Sequence, residues 1–111
     1  MTKKILIPIF PLNGVIFFPK TNLPLNIFEE RYIKMIDFTL GKDKLIGMIQ
    51  TKDNGGLYKI GCIGKISSFY ETKDGRYIIN LIGKNYFSIT KQLSSLKKFR
   101  LAYVEVKNNE N

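Results

Sequence analysis

The sequence predicts a mainly β domain (β-rich α+β) of about six strands, with one α-helix inserted early, over roughly residues 27–40. Three observations carry this. Short apolar or alternating stretches bounded by Gly, Pro, Asn and Asp fill most of the chain, as strands and turns require. Only after Asn26 does the apolar period lengthen to that of a helix. The 111 residues are 44% hydrophobic with eight Phe and six Tyr, enough for one real core and too apolar for wholesale disorder.

"KILIPIF" opens the chain as a strand, with Ile5, Ile7 and Ile9 on one face and Leu6, Pro8 and Phe10 on the other. Pro8 lacks an N–H, so this strand is expected at an edge or beside a bulge. "PLNG" (11–14) reads as a turn and "VIFFP" as a second short strand. "TNLPL" continues extended, because the residue before a proline is pushed out of the helical region.

From Asn26 the apolar residues Phe28, Tyr32, Met35, Ile36 and Leu40 fall on one helical face. Asn26 is the expected N-cap, with Glu29 three residues on to close a capping box. Glu30 adds negative charge in the first turn and stands four residues before Lys34. Gly41 is the expected C′ terminator.

The remainder is strand-rich. "KLIGMIQ" (44–50) is an apolar strand and "TKDNGG" a loop tip. Residues 58–71 and 76–83 flank "TKDG", where Asp74-Gly75 suits a type I′ hairpin turn. "YFSIT" (86–90) and "RLAYVEV" (100–106) add two more strands. Residues 1–106 are thus expected to form one domain, followed by a polar, disordered tail over 107–111.

Several chemistries are excluded. With no histidine and one cysteine, neither a Ser-His-Asp or Cys-His mechanism nor the usual zinc sets can be assembled. No serine sits on an elbow motif suited to a Ser-Lys dyad. "GLYKIGCI" lacks the Lys-Ser/Thr of a phosphate loop, and "GCIG" places Cys-Ile where an RNA clamp needs basic residues. Cys62, among isoleucines, reads as a buried, inert thiol. No catalytic residue, cofactor or metal is expected.

Pro8, Pro11, Asn13 and Gly14 interrupt the apolar N-terminal stretch, and no cleavage-type site follows it, so a cytoplasmic rather than secreted protein is expected. No run approaches the roughly 18 apolar residues of a membrane helix, so no membrane partner is expected. The net charge of +9 comes from fifteen Lys and three Arg without a dense block, which reads first as a soluble surface. An alternative is a nucleic-acid site. Tyr58, Phe69, Tyr70, Tyr77, Tyr86 and Tyr103 would stack bases beside Lys59, Lys65, Lys73, Lys84 and Lys91.

The front half, "IPIFPLNGVIFFPKTNLPLNIFEERYIKMI", resembles the opening of the Lon protease N-terminal, substrate-binding domain family. Pro8, Phe10, Pro11, Leu12, Val15, Phe17 or Phe18, Pro19, Leu23, Pro24, Leu25, Ile27, Phe28, Glu29, Arg31 and Tyr32 stand at matching positions. "IGCIGKI", "KDGRYIINLIG" and "NYFSI" are similar to later strands of that family. Lys20 stands where a glycine is usual, Glu30 where a proline is common, and Asn85-Tyr86 where Arg-Phe is often found. The helical extension that family members usually carry after the last strand is not seen in this sequence.

The resemblance implies a PUA-like pseudo-barrel and non-catalytic recognition of unfolded or hydrophobic polypeptides, linked to ATP-dependent proteolysis or protein quality control, with a separate ATPase or protease as a candidate partner. A PUA-like module binding RNA through its positive charge is the alternative. Phe17, Phe18, Pro19, Leu23 and Pro24 form the candidate peptide-binding stretch, with ordinary core packing as the competing role for each. A sheet edge beside the Pro8 strand is a candidate for strand addition. Asn26, Glu29, Arg31, Tyr32, Asp74 and Gly75 are expected structural anchors, with Arg31 reaching strand carbonyls or a carboxylate to fix the helix on the sheet.

Overall fold

The computed structural model describes residues 3–93 and 98–108. Its elements are β1 (Lys3–Leu12), β2 (Asn22–Ile27), α1 (Glu30–Leu40), β3 (Leu45–Gln50), β4 (Ile60–Glu71), β5 (Tyr77–Leu93) and β6 (Arg100–Val106). The strands form one sheet in the order β2-β5-β4-β3-β1-β6, and a further β5–β6 pairing closes five of them into a barrel. β1 runs parallel to β3, and the other pairings are antiparallel.

Closure depends on β5. Along it, β2 pairs with residues 77–82, β4 with 77–88 and β6 with 87–93. Register shifts between Cys62 and Gly64 and between Ile66 and Ser68 give the curvature this needs. The predicted strands at 76–83 and 86–90 are therefore one continuous strand.

Strand alternation separates two cores. Ile7, Ile9, Ile49, Ile63, Phe87, Ala102 and Val104 fill the barrel. The opposite faces of β1, β3 and β4 supply Leu12, Ile46, Met48, Cys62 and Ile66 to a second core. Helix α1 covers that layer with Met35 and Ile36, and the β2–β5 flap closes it with Ile27, Tyr77, Ile79 and Leu81. Burial pushes the Cys62 thiol up to about 11, so it packs as a small apolar group.

The helix begins later than its sequence suggests. Asn26 lies in β2, opposite Ile78, and caps nothing. Glu29 is the N-cap residue and makes no side-chain cap bond, so the predicted capping box is absent. Pairing of β2 with β5 as far as Ile27 holds Asn26 extended. Phe28, predicted on the helix's core face, precedes the helix and is 67% exposed. Glu30 is the first helical residue, a position where proline is also favoured. Its carboxylate meets Lys98 at 3.0 Å and Lys34 at 3.6 Å.

Gly41 caps the C-terminus with φ −80°, so the left-handed terminator is not there; Lys44 takes φ +63° instead. Arg31 does not bridge to the sheet. Its Nε meets the neighbouring Glu29 carboxylate at 3.1 Å and its guanidinium lies 4.7 Å over the Tyr32 ring. Tyr32 packs its ring, tilted, against Phe10 of β1 with centroids 4.6 Å apart.

A hydrogen bond between α1 and β5 adds a tether. Tyr77 Oη of β5 donates to Asp37 Oδ1 of α1 at 2.5 Å. That bond, ahead of burial, raises the Tyr77 phenol from 10 to about 12. A raised acid pKa means the neutral phenol stabilises the fold fully below pH ~10, and the contribution is lost as pH rises to about 12. Tyr77→Phe is expected to cost about 1–3 kcal/mol at neutral pH. The gap between wild type and variant, followed by urea denaturation, should narrow from pH 10 to 12.

The β4–β5 hairpin is present, with a different turn. The Thr72 carbonyl accepts from Gly75 N–H at 3.1 Å, and Thr72 N–H donates to the Arg76 carbonyl at 2.9 Å. Only Gly75 is left-handed, at φ +87°, so this is a type I turn followed by a glycine bulge, not type I′. The Thr72 hydroxyl bonds the Asp74 carboxylate, which also holds Arg76 Nε at 3.0 Å. These contacts, the hydroxyl first, lower the Asp74 pKa.

Pro8 occupies the half of β1 that precedes the β3 pairing, which starts at Ile9, so its missing N–H costs no ladder bond there. Beyond β6, Lys107 N–H donates to Tyr86 at 2.8 Å and the Lys107 carbonyl accepts from Asn85 at 2.9 Å. The chain is thus tied down at the start of the predicted tail; residues 109–111 lie outside the described residues.

Candidate peptide-binding surface

The predicted "VIFFP" strand is a loop, and residues 15–18 pair with no strand. Gln50 Nε2 donates to the Val15 carbonyl at 2.6 Å. The Thr21 hydroxyl donates to the Phe18 carbonyl at 2.5 Å. Lys20 N–H donates to Gly83 and Gly83 N–H to Thr21, both at 2.9 Å. Gly83 permits this: a Cβ there would lie 2.2 Å from the Phe18 carbonyl oxygen. Lys20, where the family resemblance expects glycine, turns the loop at φ +69°.

This pinned loop sorts the five predicted peptide-binding residues. Phe17 points inward beside Gly64 and is buried. Leu23 is half-buried against the second core, and Pro19 is half-buried in the loop. Phe18, at 46% exposure, and Pro24, on the outer face of β2, reach solvent. Ile16, outside the predicted set, is among the described residues the most exposed large apolar one at 78%, with Val15 beside it. Its signal was the run of four apolar residues in "VIFF", where burial of Phe17 turns its neighbours outward.

A second apolar group lies on the outer face of the β2–β5–β4 flap. Asn26 pairs with Ile78, which pairs with Tyr70; Pro24 pairs with Asn80, which pairs with Ser68. Phe28 continues the outward register of β2. Phe28, Ile78 and Tyr70 are all exposed. β2 is a free edge of the sheet, and β1 is also unpaired on its β3 side from Lys3 to Pro8, with β6 on its other side.

The aromatic and lysine residues of the nucleic-acid alternative are dispersed. Tyr77 is buried, Tyr70 lies on the flap, and Tyr58 stands under Lys52 beside the β3–β4 loop. Lys65 lies at another opening of the barrel, beside Ile63. Among the described residues no group of three or more His, Cys, Asp or Glu residues is placed to hold a metal, and no helix is long and apolar enough to cross a membrane.

Comparison with known proteins converges on one family. Residues 6–111 match the model of the ATP-dependent protease La (LON) substrate-binding domain. The Lon protease of Parabacteroides distasonis is 32% identical over 90 residues, covering 75% of this chain and 11% of that protein. The Lon protease of Buchnera aphidicola is 27% identical over 117 residues, covering 99% of this chain and 15% of its own length. The chain therefore spans only a small part of these relatives. The crystal structure of a Lon N-terminal domain protein from Xanthomonas campestris superposes with a TM-score of 0.79 at 21% identity, covering 94% of this chain and 60% of that one. The N-terminal domain of Mycobacterium avium complex Lon protease gives 0.76 at 14% identity, covering 96% and 57%. A β-rich pseudo-barrel with one early helix, matched along nearly its whole length, places the chain in the Lon substrate-binding domain family.

Proposed function

We infer that this domain is a non-catalytic recognition module that holds unfolded or hydrophobic polypeptide segments for an ATP-dependent protease of the Lon type. The ATPase and peptidase would be supplied by other modules, on the same chain or a separate one. The observation that carries this reading is the 15–18 loop. Ile16 and Phe18 are turned to solvent by a backbone held through hydrogen bonds to Gln50, Thr21 and Gly83. A pre-ordered apolar surface loses little entropy when it engages an extended chain. Phe28, Ile78 and Tyr70 form a second exposed apolar group on the flap, with the hydrogen-bonded Asn22, Asn80 and Ser67 between it and the loop. Exposed apolar residues grouped in this way mark interaction sites.

Binding of a permanently unfolded, carboxymethylated polypeptide, measured by fluorescence anisotropy, tests the reading. Ile16→Asp with Phe18→Asp should weaken binding about tenfold or more, since each change removes roughly 1.5–3 kcal/mol of apolar burial. The melting temperature should stay nearly unchanged, because both side chains are exposed. Unchanged affinity in a folded double variant would exclude this loop as the grip.

A further inference from the structure

We propose that one open end of the barrel is a binding site for a carboxylate joined to an apolar group, either the last residue of a polypeptide or a free short-chain acid. This site is separate from the loop surface and stands independently of the reading above.

The opening arises from strand pairing. β1 and β3 pair only through Ile9–Leu12 and Gly47–Gln50. Before that point β1 stays on β6 from Lys3 onward, and β3 stays on β4 from Leu45 onward. The barrel wall is therefore unzipped between β1 and β3 at this end. A cavity of about 430 Å³ lies there, within the size range of small-ligand sites. Its walls include Ile5, Leu45, Ile63 and Val106, side chains of the barrel interior or packed against it.

The charge at the rim follows from the same alternation. Lys3 continues the inward register of Ile5, Ile7 and Ile9, and Lys65 continues that of Gly61 and Ile63. Both line the cavity, with Lys84 beside them and Asp43 as the one acid. Among the described residues neither Lys3 nor Lys65 forms an ion pair. The Asp43 carboxylate accepts from Leu45 N–H at 3.3 Å. Lysines on a barrel rim ordinarily reach into water over apolar stems. Here two of them border an apolar cavity with excess positive charge, which complements an anionic head on an apolar body. A single carboxylate meets that requirement, and a bare anion would leave the apolar walls unused.

Amide NMR titrations of the 111-residue chain with N-acetyl-leucine, N-acetyl-leucinamide and hexanoate test this. The acids should shift residues 3–5, 43–45, 63–65 and 105–106, and the amide should bind about tenfold more weakly. Lys65→Glu should weaken acid binding about tenfold, while Lys73→Glu, a charge-matched change at the β4–β5 turn, should leave it unaltered. Binding of N-acetyl-leucine alone identifies a polypeptide terminus as the source of the carboxylate; binding of hexanoate as well identifies free acids. Absence of binding, equal affinity for acid and amide, shifts elsewhere, or equal damage from Lys73→Glu would each overturn the proposal.

Discussion

Phe87→Ala should be among the most damaging single substitutions in the barrel, costing about 3–5 kcal/mol against a total stability on the order of 5–15 kcal/mol. The ring is fully buried at the centre of the barrel core. It fills space that two glycines leave: a Cβ on Gly47 would lie 3.0 Å from Phe87 Cζ, and one on Gly61 2.7 Å from it. Large and small residues thus interlock across the barrel. Urea denaturation should show the loss as a lower midpoint with little change in slope. Gly47→Ala combined with Phe87→Ala should be less destabilised than the two singles summed. The new methyl would enter the space left by the ring, and its other neighbours, Ile7 Cδ1 and Ile9 Cδ1, are flexible side-chain ends.

Gly83→Ala carries the other large effect and bears directly on recognition. The added Cβ would meet backbone atoms, the Phe18 oxygen at 2.2 Å and the Phe18 carbonyl carbon at 2.9 Å, and no rotamer change relieves that. The loop must lift from β5, weakening its two backbone hydrogen bonds with residue 83 and drawing Phe17 from its buried position. Loss of that burial and those bonds corresponds to about 2–4 kcal/mol. The variant should melt lower, lose the fixed amide shifts of residues 15–21 and bind unfolded polypeptide weakly. Retention of the loop's native shifts would contradict the anchoring role of Gly83.

The sequence revealed the architecture more readily than the surface. Period-two stretches and the single helical segment announced a β-rich domain with an early helix, because burial alternation is local and repeats along each element. The hairpin at residues 72–76 was legible from Asp74-Gly75, although the turn type was not: a type I turn with a bulge and a type I′ turn accept the same dipeptide. The misplaced helix start shows tertiary pairing overriding local preference. Asn26 is a good cap in isolation, yet β5 holds it in a strand.

The same limit applies to the candidate surface. That Phe17 turns inward and Ile16 outward is decided by contacts with Gly64, Gln50 and Gly83, all distant in sequence. The unzipped barrel end is likewise a property of which strands pair and where pairing stops. Sequence periodicity places residues on faces; it does not say which face another element will cover.

The most direct measurement of polypeptide recognition is an amide NMR titration at physiological salt, with an unfolded polypeptide and a short RNA added separately. Recognition through the pinned loop predicts polypeptide-induced shifts at residues 15–18, continuing to Pro24-flanking amides, Phe28, Tyr70 and Ile78, with little response to RNA. Shifts of the strand lysines and tyrosines by RNA, with no response to the polypeptide, would contradict it.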